Sequence, residues 1–387
     1  MTGPASIRVV PELRAVHIER HQLGTPAELL YFSANYDLTG TALRDGIRHV
    51  SLGAALRRLG GTAATTLEVC EPLWIREWPR HVALITTFKL AALIRRRRVT
   101  VCTYAMENND IHRLVAGRRR LPRAAVTTAS FIIGTAARLA IDCIVYASPA
   151  AHRAYTQLPF VNGIPFCVVL ELPRPDNECS NPRPLSAVFV GALENRKGVR
   201  ELMQAWQRVE GIVPEAVLTI IGPGPLHLEV QKWAAADPSR RRVLGALPHE
   251  QARAELRRAS VLVAPSVPDG RWREQIGLPI KEALAAGLTV VTTSETGLAG
   301  WLAENGHEVI DIDGPTNLGA RLAWALARAL RSPLDRDTVR SALPSEDGRL
   351  TSDRWLHRPT QASNELAYQG LLSVPTPTPT AWQGADS

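Results

Sequence analysis

Apolar and polar positions in this chain come in blocks. Short runs rich in β-branched residues alternate with longer stretches of helical spacing. ELLYFSA (28–34) reads as a buried strand, followed by a polar loop from Asn35 to Gly40 and a helix that ends near Gly60-Gly61. TTLEVCEPL (65–73), VTVCTYAM (99–106) and IDCIVYAS (141–148) continue the strand series. VALITTFKLAALIRRRR (82–98) is ambiguous and can be read as a short strand running into a helix. ELPRPDNECSNPRPLS (171–186) holds four prolines and few apolar residues, the composition of a linker. A second series begins at Ala187 and runs to about Leu330, with AVFVG, AVLTIIG, RRVLG, SVLVAP and LTVVTT as its strands. From about Ser332 the pattern is less regular. TSDRWLHRPTQASNELAYQGLL (351–372) reads as a terminal amphipathic helix, and the proline-rich VPTPTPTAWQGADS as a disordered tail.

Strands alternating with helices from about residue 28 onward imply parallel sheet covered on both sides, an α/β fold. Two such doubly wound units joined by a linker place their strand C-termini across a cleft, where ligands of open α/β sheets bind. The expected division is a first unit over 1–180, a second over 181–345, a terminal helix over 346–372 and a tail over 373–387.

Composition narrows the function. The 387 residues suit two to three domains, and 45% hydrophobic content is enough for substantial cores. The net charge of +8, carried more by arginine than lysine, favours anionic partners without selecting one. The cysteines (Cys70, Cys102, Cys143, Cys167, Cys179) are odd in number and scattered, with no CxxC pair. That argues against a disulfide framework or structural zinc and for a reducing cytoplasm. The N-terminus lacks an apolar core of signal-peptide length. The weakly polar stretch Ala124 to Ala147 is interrupted by Arg138 and Asp142, too short for a membrane span. Arg95–Arg98 and Arg118–Arg120 are dense basic runs. They read as solvated helix ends, or as a patch facing an anionic membrane or a phosphate-bearing acceptor. With aromatics at 5% and none interleaved in those runs, a nucleic-acid partner is not expected.

The richest stretch for chemistry is REQIGLPIKEALAAGLTVVTT (273–293). It reads as acid (Glu274), helix start (Gly277-Leu278-Pro279), second acid (Glu282), then strand. Pro279 suits a first helical turn, whose outward amides attract anions, and Gly277 has no side chain to obstruct a phosphate. A ligand anionic at one place and rich in hydroxyls at two others matches this layout, as a nucleoside diphosphate sugar does.

At Glu274 and Glu282 the chain resembles the E-x7-E pattern of retaining glycosyltransferases of family 4. AVFVGALENRKGVRELMQAW (187–206), VLTIIGPGP (217–225), RRVLGALPHEQARAELRRASVLVAPS (241–266) and VVTTSETGLAGWL (290–302) are similar to that family's successive segments. The resemblance is specific over about 185–310; in the first half only the element order is similar. It implies the GT-B fold: two Rossmann-like domains facing a central cleft, acceptor mainly on the first and donor on the second, with a terminal helix crossing back to the first. It also implies transfer of a hexose-type unit from a UDP- or GDP-sugar by front-face attack. Lys197, Arg196 and the amides of Gly277 and Leu278 would receive the charge of the leaving diphosphate. Glu274 would meet the sugar and Glu282 the ribose, with Gly191 at the end of the first strand. Gly222 and Gly224 would let backbone pass near the nucleotide, or form a simple turn. Neither a metal nor a cofactor is expected.

The acceptor is open among lipids, polysaccharides and secondary metabolites, with Glu107, Asn108 and Gly40 as acceptor-side candidates. Two positions depart from the pattern. Ala192 stands where the family often has arginine, and no histidine falls in VCTYAMENND, where Glu107, Asn108, Asn109, Asp110 or the nearby His112 would substitute. Asp311-Ile312-Asp313 spells a DxD sequence but reads as a loop of solvated acids. Gly222-Pro223-Gly224 lacks the third glycine of a dinucleotide fingerprint, since His227 holds that place. Alternatives are a nucleotide-sugar epimerase on the same fold, a nucleic-acid-binding protein and a non-catalytic relative.

Overall fold

All named strands of the chain pair in parallel, and they form two separate sheets. The computed structural model describes residues 5–34, 38, 45–116, 121–176, 178, 182–313 and 317–358. Gly40, Arg118–Arg120, Cys179 and the expected helix and tail beyond 358 lie outside the described residues.

The first sheet contains β1 (Ser6–Leu13), β2 (Glu28–Ala34), β3 (Ile47–His49), β4 (Thr66–Val69), β5 (Thr100–Ala105), β6 (Cys143–Tyr146) and β7 (Phe166–Val168), in the order β3-β2-β1-β4-β5-β6-β7. The second contains β8 (Ser186–Val190), β9 (Val217–Ile221), β10 (Arg241–Gly245), β11 (Val261–Ala264), β12 (Thr289–Thr293) and β13 (Glu308–Ile310), in the order β10-β9-β8-β11-β12-β13. Each sheet therefore reverses direction once, between β1 and β4 and between β8 and β11. At such switch points the loops leaving neighbouring strands diverge and open a crevice.

Block alternation locates most of these strands, but not β1. The strand series begins near residue 6, not 28. SIRVVPEL holds Arg8 and Pro11, which break an apolar reading, yet β1 lies mid-sheet between β2 and β4. Arg8 is buried because Glu68 of β4 and Asp353 of the Gly348–Leu356 helix neutralise it. The ambiguous 82–98 segment is helical: Trp78–Ile94 starts with Pro79 in its first turn and packs Leu84, Ile85, Phe88 and Ala92 inward.

The segment 171–186 is not a free linker at its start. Glu171 and Leu172 are buried, and Asp176 pairs with Arg253 and Arg257 of the second unit. Residues 171–176 thus form a crossing segment held by contacts of its own. The chain then returns: the Gly348–Leu356 helix packs on β5 and β6 of the first sheet. Gly348 permits this, because a Cβ there would lie 2.0 Å from the carbonyl oxygen of Leu170.

Candidate functional site

The site is built at the second switch point. After β8 the chain runs through the loop 191–198, and after β11 through the loop 265–277. Two glycines set how closely these loops approach their neighbours. A Cβ at Gly198 (φ +68°) would lie 1.9 Å from the Pro265 carbonyl oxygen, so only glycine lets the loops touch. The Val267 amide donates to the Arg196 carbonyl at 2.9 Å and fastens them. A Cβ at Gly222 (φ +139°) would lie 2.0 Å from the Gly191 carbonyl oxygen. The crowding at Gly222 thus comes from the chain's own backbone, more specific than a simple turn.

Across the crevice the Lys197 ammonium contacts the Glu274 carboxylate. Ser266 Oγ donates to the same Glu274 Oε2 at 2.9 Å. The Trp272 ring lies beneath both cations, 4.5 Å from the Arg196 guanidinium carbon and 5.1 Å from Lys197 Nζ. An aromatic face attracts cations electrostatically and holds them with little freedom. Arg196 also donates from Nε to Glu194 Oε2 at 2.5 Å, within its own loop. Lys197 therefore faces Glu274, while Arg196 is occupied beside it. Neither Ser266 nor Trp272 was legible as a site residue; an aromatic two positions before the acid was the only signal.

Three residues past Glu274, Gly277 adopts φ +87° and starts the Leu278–Ala285 helix. Its carbonyl accepts from the amides of Ile280 and Lys281 at 3.0 and 3.2 Å, and Leu278 is exposed. Glu282, one turn in, accepts from or shares a proton with His249 Nε2 at 2.6 Å. That hydrogen bond raises the proton affinity of His249. The next residue back, Lys281, points the other way. It is buried and reaches Glu171 at 3.2 Å and Asp347 at 3.1 Å. Glu171 is pushed up by burial, but Arg349 and Lys281 outweigh that, with the Tyr104 hydroxyl at 2.7 Å, and hold its carboxyl at about 2. The helix that starts at Gly277 is thereby tied to the crossing segment and to the returning helix.

The first domain reaches the same place through the turn after β5. Asn108 Nδ2 donates to the carbonyl of Glu274 at 3.0 Å and of Glu295 at 3.3 Å. Asn109 Nδ2 donates to Arg271 O at 2.9 Å, and Arg273 Nη1 returns a bond to Asn108 O at 3.1 Å. Gln275 Nε2 donates to Glu107 Oε2 at 3.3 Å. Where a histidine was the expected type, Glu107, Asn108 and Asn109 span the two domains. His112 and Asp110 belong to the start of the following helix, where Asp110 Oδ1 accepts the His112 amide at 2.6 Å. Asp311 of the DxD sequence accepts from Ser294 Oγ, just past β12, and from the Asp313 amide in its own loop.

Behind Glu107 lies Glu71, at the end of β4. Its Oε2 accepts from the amides of Met106 and Glu107 at 3.1 and 2.8 Å and from the Tyr155 hydroxyl at 2.9 Å. Burial, helped by the charge of Glu107, raises its carboxyl from 4.5 to about 8. The folded chain thus holds a proton that the unfolded chain releases. Its stabilising contribution is complete below pH 4.5 and is lost as pH rises through about 8. Glu71→Gln keeps the acceptor oxygen and removes the charge. Melting curves should show the variant gaining on the wild-type chain as pH rises across that window, with no difference at pH 4.5. A gap that stays constant with pH would refute a neutral Glu71.

Residues 184–331 match the family described as Glycosyl transferases group 1. Glycogen synthase of Mycobacterium tuberculosis is 34% identical over 178 residues, which cover 44% of this chain and 39% of that protein. The chain thus spans about two fifths of the length of this curated relative. Among solved structures, Anabaena HepE in complex with UDP superposes with a TM-score of 0.63 at 10% identity, covering 92% of this chain and 98% of that one. WaaG, a glycosyltransferase involved in lipopolysaccharide biosynthesis, does so with a TM-score of 0.59 at 13% identity, covering 92% and 100%. At such identities the likeness is one of fold: two Rossmann-like parallel sheets in the GT-B arrangement. The matched residues contain β8 to β13 and therefore Lys197, Glu274, Gly277 and Glu282.

Proposed function

We propose that this chain is a retaining glycosyltransferase that moves a hexose-type unit from a UDP- or GDP-sugar to a hydroxyl acceptor in the cleft. The observation that carries this reading is the contact of Lys197 with Glu274, three residues before the Gly277 helix start. A diphosphate fits there because the first-turn amides and an ammonium group converge on it.

In the proposed reaction the bond from the anomeric carbon to the donor phosphate oxygen breaks, and charge builds on the diphosphate. Lys197 and the amides of Gly277 and Leu278 receive that charge in fixed positions, which costs no reorganisation. The acceptor oxygen bonds to the same face of the anomeric carbon and passes its proton to the departing phosphate oxygen. Glu274 holds donor-sugar hydroxyls, since a carboxylate accepts several hydrogen bonds. Glu282, with His249 behind it, holds the ribose hydroxyls. Glu107 and Asn108 face this point from the first domain and position the acceptor side. The protein's own cations balance the diphosphate, so no metal ion is required.

Thermal-shift titration with UDP, GDP and their sugars should raise the melting temperature for one base, because a ligand that binds only the folded state stabilises it. Proton NMR of the product should show the donor's anomeric configuration kept, and EDTA should leave turnover unchanged. Product that forms without any acceptor would point to an epimerase instead. No shift with any nucleoside diphosphate would end the proposal.

A further inference from the structure

The first domain carries a second surface, far from the chemistry in kind. The Trp78–Ile94 helix connects β4 to β5, and the Arg123–Ala140 helix lies between β5 and β6. Successive right-handed crossovers in one direction put both on the same side of the sheet. Lys89 confirms the adjacency: its ammonium reaches the Leu139 carbonyl at 3.4 Å and Asp142 at 3.2 Å.

Both helices already bury one side, through Leu84, Ile85 and Phe88 on the first and Val126, Ile133 and Ala137 on the second. A helix on a water-facing surface would then be polar outside. These are not. Leu90, Leu93 and Ile94 project from the first, and Phe131, Ile132 and Leu139 from the second, with Ile94 and Leu139 about three-quarters exposed at 74% and 75%. Neither helix contains an Asp or a Glu. The first runs directly into Arg95–Arg98, of which Arg95, Arg96 and Arg98 are exposed. Arg97 turns inward to the carbonyls of Thr62 and Ala63 and so serves the fold.

We propose that this two-helix face docks on an anionic lipid bilayer. Side chains such as Leu93, Ile94 and Leu139 would enter the headgroup boundary, and the arginines would meet lipid phosphates. An apolar face rimmed by one sign of charge matches that partner, because burial of apolar area and attraction to anionic headgroups add. Asp142, at the edge of this face, is paired with Lys89, so the exposed arginines leave the face positive, which suits anionic lipid better than a second copy of the same face. The inference does not depend on the proposed transfer reaction. Among the described residues no helix is long and apolar enough to cross a membrane.

The test is co-sedimentation of the full chain with vesicles of phosphatidylcholine alone or mixed with phosphatidylglycerol, at low and high salt. The wild-type chain should pellet with the mixed vesicles at low salt, pellet less at high salt, and ignore pure phosphatidylcholine. Leu93→Glu with Ile94→Glu should abolish binding. Replacing Arg95, Arg96 and Arg98 by Gln should weaken it roughly a hundredfold at low salt. All substituted positions are exposed, so melting temperatures should match the wild-type value. Indifference of the wild-type chain to anionic vesicles would overturn the proposal. So would variants that bind undiminished. A concentration-dependent dimer that Leu93→Glu with Ile94→Glu disrupts, in a chain that ignores vesicles, would assign the face to self-association instead.

Discussion

Lys197→Ala should lower kcat for glycosyl transfer by about 10²–10³-fold, the usual cost of removing one preorganised group worth about 2.7–4 kcal/mol to a developing anion. The group sits on a loop that Gly198 and the Val267 amide hold in place, so its position does not depend on the ligand. Its loss leaves Glu274 with Ser266 as a remaining donor, and both members of the ion pair are partly open to solvent. The stability cost should therefore lie between that of an exposed pair, about 0–1 kcal/mol, and that of a buried one, about 3–5 kcal/mol. Steady-state kinetics at saturating donor, with a urea titration beside them, separate the two effects. Lys197→Arg keeps the charge but spreads it over a planar fork, and should recover only part of the rate. Glu274→Ala should likewise abolish transfer while the fold persists. Wild-type turnover by either alanine variant would remove these residues from the mechanism.

The second large effect is on stability, at the place where the Gly348–Leu356 helix meets β1 and β4. Asp353 is fully buried; its Oδ1 accepts from Arg20 Nε at 2.8 Å and from Arg8, and its Oδ2 takes the Thr25 amide at 2.6 Å. Glu68 completes the group, 2.9 Å from Arg8 and 2.6 Å from Arg20, with His357 at 3.1 Å. Asp353→Ala would leave two buried guanidinium groups facing one carboxylate. Removing one partner of a buried ion pair costs about 3–5 kcal/mol. The urea midpoint should fall accordingly, and the Gly348–Leu356 helix should become accessible to protease before the sheets do. Asp353→Asn keeps the acceptor oxygen and should cost less. Acid should act on the same cluster. Burial pushes the Glu68 carboxyl up, but Arg20 and Arg8 outweigh it and hold it well below 4.5. Its contribution is therefore present above pH 4.5 and is lost as pH falls below that value. An Asp353→Ala chain as stable as wild type would mean the returning helix is held by its other contacts, the Arg349–Glu171 and Lys281–Asp347 pairs among them.

The fold class could be read from the order of apolar blocks, because parallel strands buried on both faces must be nearly continuous in β-branched residues. The acidic motif was equally legible. Glu274, Gly277, Pro279 and Glu282 lie within one turn and one helix, so their spacing alone carries their geometry. Lys197 lies 77 positions away from Glu274, and only the switch between β8 and β11 brings them into contact. Arg8 concealed β1 for a related reason. A charge inside a strand looks like solvent-facing chain until Glu68 and Asp353, from other elements, are seen to neutralise it. Sequence by itself thus determined the layers and the helix start, since these depend on neighbours along the chain. Tertiary structure alone decided which cation faces which acid, how Asn108 bridges the domains, and which helix faces are left uncovered. Those depend on distances between residues remote in sequence, which periodicity does not encode.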